Sequence, residues 1–127
     1  MKYLLDTHVV LWVAEDSCLL SERAKTALSD KTAEKYVSIV SAWEVAVKLG
    51  TGKLQLDGGL SEFFRIIDDN GIKTLPIERE YLRQIHYLPY YHKDPFDRLI
   101  IATAMVEEMT LITADKNIHR YNAQYLW

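Results

Sequence analysis

The feature that most constrains this chain is a repeated change in the period of its apolar residues. Four short runs rich in aliphatic and β-branched residues, "KYLL" (2–5), "KYVSIV" (35–40), "IKTLPI" (72–77) and "TLIT" (110–113), read as buried strands. Between them lie segments with helical spacing: "HVVLWVAE", "SERAKTALSD" with Ser21 as cap, "SAWEVAVKLG" ended by Gly50, "LSEFFRIIDDNG" ended by Gly71, "EREYLRQIHYL" and "PFDRLIIATAMVEE". "AQYLW" adds a short edge strand at the end. Strands that alternate with helices are joined by crossovers, which make neighbouring strands parallel and cover both faces of the sheet. The expected fold is therefore α/β, a three-layer α/β/α sandwich around a mainly parallel sheet of about five strands.

A chain of 127 residues with 49% hydrophobic and 26% charged residues suits a single domain, 1–127, with a full core. The glycines gather in "GTGKLQLDGG", read as a surface loop between helices. No apolar run approaches the roughly 20 residues needed to cross a bilayer, and Asp6 interrupts any signal-peptide core. The expectation is a cytoplasmic protein with no membrane partner. Cys18, the one cysteine, has no partner for an internal disulfide and reads as a small residue in a turn. His8, His86, His92 and His119 lack zinc-site spacing, so no structural zinc is expected.

The net charge of −3 and the pI near 5.8 exclude a global basic field, so a polyanion must bind locally. Lys48, Lys53, Lys93, Arg98, Lys116 and Arg120 are the candidates for that local charge. Taken singly, each reads as an ordinary solvated side chain.

In an open parallel sheet, ligands bind beyond the carboxyl ends of the strands, and acids follow several of them here. Asp6 closes the first strand, Glu44 stands in the first turn after "KYVSIV", and Asp115 follows "TLIT" after one alanine. In "HKDPFDRLIIATA" (92–104), Asp94, Pro95 and Asp97 fit the N-cap, N1 and N3 slots of a helix. Helical spacing puts Asp97 on one stripe with Ile101 and Ala104, facing protein, where a carboxylate requires a cation or a donor.

Each acid also has a purely structural reading. Ser41 and Glu44 match the S-x-x-E capping box, Asp6 or Thr7 fits the start of the helix near His8, and Asp115 fits the turn "ADKN". Gathered in one pocket, however, these carboxylates repel and call for a hard divalent cation, Mg2+ or Mn2+. Such a site suits phosphoryl chemistry. Thr7, Ser41 and Thr113 stand beside the acids, placed either to orient them or to cap the local backbone.

"LLDTHVVLW", "VSIVSAWEVAVKLGTGKL", "HKDPFDRLIIATA" and "LITADKNI", in this order, resemble the PIN-domain nucleases, specifically the bacterial toxins of the VapC type. The resemblance covers the whole chain. It implies a ribonuclease that hydrolyses RNA phosphodiester bonds with Mg2+ or Mn2+, a cognate antitoxin protein as partner, and a homodimer. Its acidic quartet, catalytic and metal-ligating, would fall on Asp6, Glu44, Asp97 and Asp115, with Asp94 supporting as helix cap. Tyr87, Tyr90 and Tyr91 are available to stack on bases or a dimer partner, or simply to pack.

Three other readings share some of these features. "LLDTH" is similar to the strand-end aspartate of haloacid dehalogenase-like phosphohydrolases, but His8 stands where that family has a second aspartate. A receiver domain also gathers acids around magnesium, yet it needs an acidic pair after the first strand and an aspartate after the third. "LLDT" and "KTLPI" supply neither. The third is a binding module that keeps the PIN-like fold without turnover.

Overall fold

Strand β1 (Lys2–Leu5) sends Tyr3 and Leu5 to one face of a sheet and Leu4 to the other, and all three are buried. Both faces must therefore be covered. The computed structural model describes residues 1–127 and completes the sheet with β2 (Glu34–Ser38), β3 (Lys73–Leu75), β4 (Thr110–Ile112) and β5 (Tyr125–Leu126). The order is β3-β2-β1-β4-β5, and every neighbouring pair is parallel, with Leu5 opposite Ile112 at the carboxyl end of β1.

Six helices connect the strands: α1 (Thr7–Ala14), α2 (Glu22–Ser29), α3 (Ile39–Gly50), α4 (Gly59–Asp69), α5 (Arg79–Tyr87) and α6 (Pro95–Glu107). On one face Tyr3, Leu5 and Ile112 pack with Val9 and Val10 of α1, Ala24 of α2 and Phe63 and Ile66 of α4. On the other, Leu4 and Leu111 pack with Tyr81 of α5 and Leu99, Ile100 and Ile101 of α6. Helix α3 joins both cores, through Val45 on the first and Val40 on the second. This is the expected three-layer sandwich.

The order also places the site. From β1 the chain winds outward through β2 to β3, then returns by α5 and α6 to the far side of β1. The winding reverses between β1 and β4, and such a switch point opens a crevice beyond the strand ends. A receiver-like sheet has β1 between β2 and β3, so the observed order also removes that alternative.

Local differences from the sequence reading have physical causes. β2 ends at Ser38 rather than at residue 40, because the Ser38 hydroxyl accepts from the Val40 amide and starts α3 two residues early, at Ile39. β3 stops at Leu75, before Pro76, which has no amide to continue a ladder. The Ser21 cap is present, accepting from the Ala24 amide at 3.1 Å, and Cys18 is exposed. No helix is long and apolar enough to cross a membrane.

Candidate metal centre

Asp6 follows β1 directly and is bonded into the neighbouring strand end: its amide donates to the Ile112 carbonyl at 3.1 Å. Its Oδ2 accepts the Thr113 hydroxyl at 2.8 Å, and Thr113 Oγ1 in turn accepts the Asp115 amide at 3.1 Å. A side chain at the end of β1 is thus fixed by one at the end of β4. Asp6 sits at the N-cap position of α1 but makes no side-chain cap bond, so its carboxylate remains directed into the crevice. Burial raises its pKa above the ordinary value, against the lowering effect of the Thr113 hydrogen bond.

Glu44 is buried on α3 and held from two sides. Thr7 Oγ1 lies 2.7 Å from Glu44 Oε1 and 2.8 Å from Ser41 Oγ. A hydroxyl has one proton, so with Thr7 donating to the carboxylate it accepts from Ser41. Lys48 Nζ donates to Glu44 Oε2 at 2.5 Å. Burial works against the Lys48 ammonium, yet the Glu44 hydrogen bond and charge hold its pKa above the ordinary value. The capping-box reading of Ser41 and Glu44 is overturned: Ser38 caps α3, and Ser41 lies fully buried inside the helix, facing Thr7.

In "HKDPFDR" the capping reading of Asp94 holds. Its Oδ1 accepts the amides of Phe96 at 2.8 Å and Asp97 at 3.3 Å, while Pro95 occupies the first turn of α6. Asp97 is turned inward, its side chain 15% exposed, and the donor awaiting it is His92, whose Nε2 lies 3.0 Å from Asp97 Oδ2. The same Nε2 is 2.9 Å from Asp115 Oδ2. Because His92 Nδ1 accepts the Asp94 amide at 3.2 Å, the neutral ring carries its proton on Nε2, toward the two carboxylates. Sequence reasoning missed His92, whose only available signal was its place in the same short motif.

Asp115 fulfils its turn reading too, since its Oδ1 accepts the Asn117 amide at 2.8 Å. Arg98 corrects an expectation: it is 5% exposed and serves no external polyanion. Its guanidinium donates to the carbonyls of Pro89, Leu88, His92 and Ile85 at 3.0 to 3.3 Å, beneath the Tyr90 ring. It pins the loop that carries His92. Tyr87, Tyr90 and Tyr91 lie on the surface, with Tyr91 packed edge-on against Tyr121.

One cavity of about 420 Å³ brings together Asp6, Glu44, Asp94, Asp97 and Asp115, with Lys48 and His92 in its wall. Burial first, then the charges of Asp6, Asp94, Glu44 and Asp115, push Asp97 up to about 8. A carboxyl that keeps its proton near neutral pH marks a shortage of positive charge in the cavity. An all-carboxylate oxygen set with that shortage fits a hard divalent cation. His92 and the carboxylates of Asp97 and Asp115 are close enough for ligand atoms of one ion. The Nε2 proton, however, makes His92 a donor to those carboxylates rather than a free nitrogen ligand.

The sequence matches the PIN domain family over residues 3–124. Among solved structures, the fold is similar to VapBC2 from Rickettsia felis bound to a DNA fragment from its promoter. That likeness has TM-score 0.74 and 16% identity, over 99% of this chain and 98% of that one. It is similar also to VapBC-1 from nontypeable Haemophilus influenzae, at TM-score 0.66 and 15% identity, over 99% and 97%. A third likeness is to the PIN domain endonuclease Utp24, at TM-score 0.55 and 21% identity, over 93% and 74%. No curated protein sequence matches the chain. With the family match running almost from end to end and the fold in agreement, the chain belongs to the PIN domain family.

Proposed function

We propose that this protein is a divalent-metal-dependent endoribonuclease and the toxin of a toxin–antitoxin pair. The observation that carries the reading is the convergence of Asp6, Glu44, Asp97 and Asp115 on one crevice, where Asp97 is pushed to about 8. In this reading these four carboxylates hold Mg2+ or Mn2+. When bound, the cation supplies Lewis acidity to the phosphodiester and makes a water a better nucleophile at neutral pH.

The chain's own groups do the positioning. Thr113 orients Asp6, and Thr7, backed by Ser41, orients Glu44. Asp94 starts α6 so that Asp97 emerges into the crevice, and His92 ties Asp97 to Asp115. Lys48 holds the second oxygen of Glu44. Burial of these groups fixes them before substrate arrives, which is the economy of preorganised electrostatics.

The toxin role is supported by the likeness to toxin–antitoxin structures such as "Toxin-antitoxin complex from Klebsiella pneumoniae". A focused negative crevice is a natural target for inhibition by a planar, permanently charged guanidinium. The cognate antitoxin is expected to place an arginine there from a flexible segment. Action as a single domain in the cytoplasm, and as a homodimer, completes the proposal. The deciding experiment incubates the purified protein with a mixed RNA pool, with and without Mg2+, and maps the new ends. Specific metal-dependent ends support the reading; an intact pool under both conditions overturns it.

A further inference from the structure

Beside the acidic cavity lies a second one of about 250 Å³, and the two share His8, Glu44 and Lys48. The second is also lined by Thr7 and Lys53, over Leu54. We propose that this cavity seats a phosphate of the RNA strand adjacent to the one being cleaved, held by Lys48 and Lys53. The inference rests on the ribonuclease reading and adds a backbone subsite to it.

Lys53 is placed there by the chain's own turn. After α3 ends, Gly52 takes φ +75, a conformation that a side chain would strain. The amides of Lys53 and Leu54 then both donate to the Lys48 carbonyl, at 2.9 and 3.2 Å. "KLGTGKL" therefore folds back so that the sixth residue, Lys53, stands against the turn that bears Lys48. Lys53 is exposed and forms no ion pair, while Lys48, the other ammonium lining this cavity, is paired with Glu44. An ammonium has three donors, so Lys48 keeps two N–H groups after bonding Glu44.

The opposite wall is the start of α1, where the Thr7 amide already serves the Asp6 carboxylate. Against an anion stand Glu44, one full charge, and the negative end of α3, about one half, and the two ammoniums together exceed them. The shared wall makes the cavities neighbours, the relation required of consecutive phosphates along one strand. In a chain of net charge −3, such a built local seat is what a backbone contact needs.

The test is binding of the full chain to a fluorescein-labelled oligouridine of about 12 nucleotides, a length within the usual range for single-strand grooves. Anisotropy is followed across a salt series with Ca2+ in place of Mg2+. Loss of one phosphate contact lowers the slope of log K against log salt by about 0.7 for a single strand. Lys53→Gln is expected to show that decrease, with binding several-fold weaker near physiological salt. Lys31→Gln, in the turn at the amino ends of the strands and so away from the crevice, is expected to leave slope and affinity unchanged. A Lys53→Gln slope equal to that of the unmodified chain overturns the subsite, including when Lys53→Gln lowers only the melting temperature, as a mere helix-end charge would. If the unmodified chain binds no oligouridine at any salt and cleaves no RNA, the ribonuclease reading fails and the subsite with it. Normal cleavage with an unchanged slope overturns the subsite alone.

Discussion

Thr113 donates its hydroxyl to Asp6 Oδ2 across 2.8 Å, linking the ends of β4 and β1 at the point where the sheet's winding reverses. Burial raises the pKa of Asp6, and this bond is the largest influence in the other direction. Thr113→Val keeps the shape but removes the donor, so Asp6 moves further upward and loses its fixed orientation. Loss of such a supporting partner typically costs about 10-fold or more in metal affinity. Calorimetric titration with Mn2+ is expected to show that loss in Thr113→Val and near-recovery in Thr113→Ser. Equal affinity in all three proteins means that Thr113 does not tune the site.

Asp97 gives the protein a pH signature in the absence of metal. Its folded pKa, about 8, lies above the ordinary 3.8. The protonated form is therefore the one favoured by folding, and its contribution is complete below about 4 and lost as pH rises through 8. Metal-free protein should become less stable across that window, and Asp97→Asn, which cannot ionise, should flatten the loss. Melts in EDTA between pH 4 and 8 check this. Asp97→Asn and Asp6→Asn are both expected to abolish metal-dependent cleavage with the fold intact; an Asp97→Asn protein that cleaves at the original rate confines Asp97 to the helix start.

Arg98 is expected to be the most sensitive charged residue for stability. Arg98→Met fills a similar space but leaves the carbonyls of Ile85, Leu88, Pro89 and His92 without their shared donor. The cost is roughly 2–4 kcal/mol, or a fall in melting temperature on the order of 10 °C. Arg98→Lys should rescue little, since one compact ammonium cannot span the positions reached by a planar fork. A melting curve for Arg98→Met that overlays the parent removes the anchoring role.

If an arginine of the antitoxin occupies the acidic crevice, it competes with the cation for the same carboxylates. Raising Mg2+ should weaken antitoxin binding, and Asp97→Asn should weaken it at low metal. Titration of the two proteins at several Mg2+ concentrations measures both effects. An affinity indifferent to both locates inhibition outside the crevice.

What the sequence determined by itself was set by short-range geometry. The switch between strand and helix periods gave the layers, since side-chain direction repeats every two residues in one element and every 3.6 in the other. Asp94 was legible as a cap because its partners, Phe96 and Asp97, are two and three residues away. The boundary between β2 and α3 was not, because Ser38 and Ser41 offer the same local chemistry and only packing chooses between them. Burial of Ser41 against Thr7 made that choice.

Tertiary structure alone decided which groups face one another. Thr7 meets Glu44 across 37 residues, His92 meets Asp115 across 23, and Thr113 meets Asp6 across 107. No periodicity encodes these separations; the first follows from the packing of α1 on α3, and the other two from the return of α5 and α6 across β1, which lays β4 beside it. The same return buries Arg98, whose sequence neighbours made it look like a solvated cation. It also decides the charge state of Asp97, because a carboxyl's pKa depends on the water removed and the charges gathered around it. Both are properties of the assembled crevice, and neither exists in the extended chain.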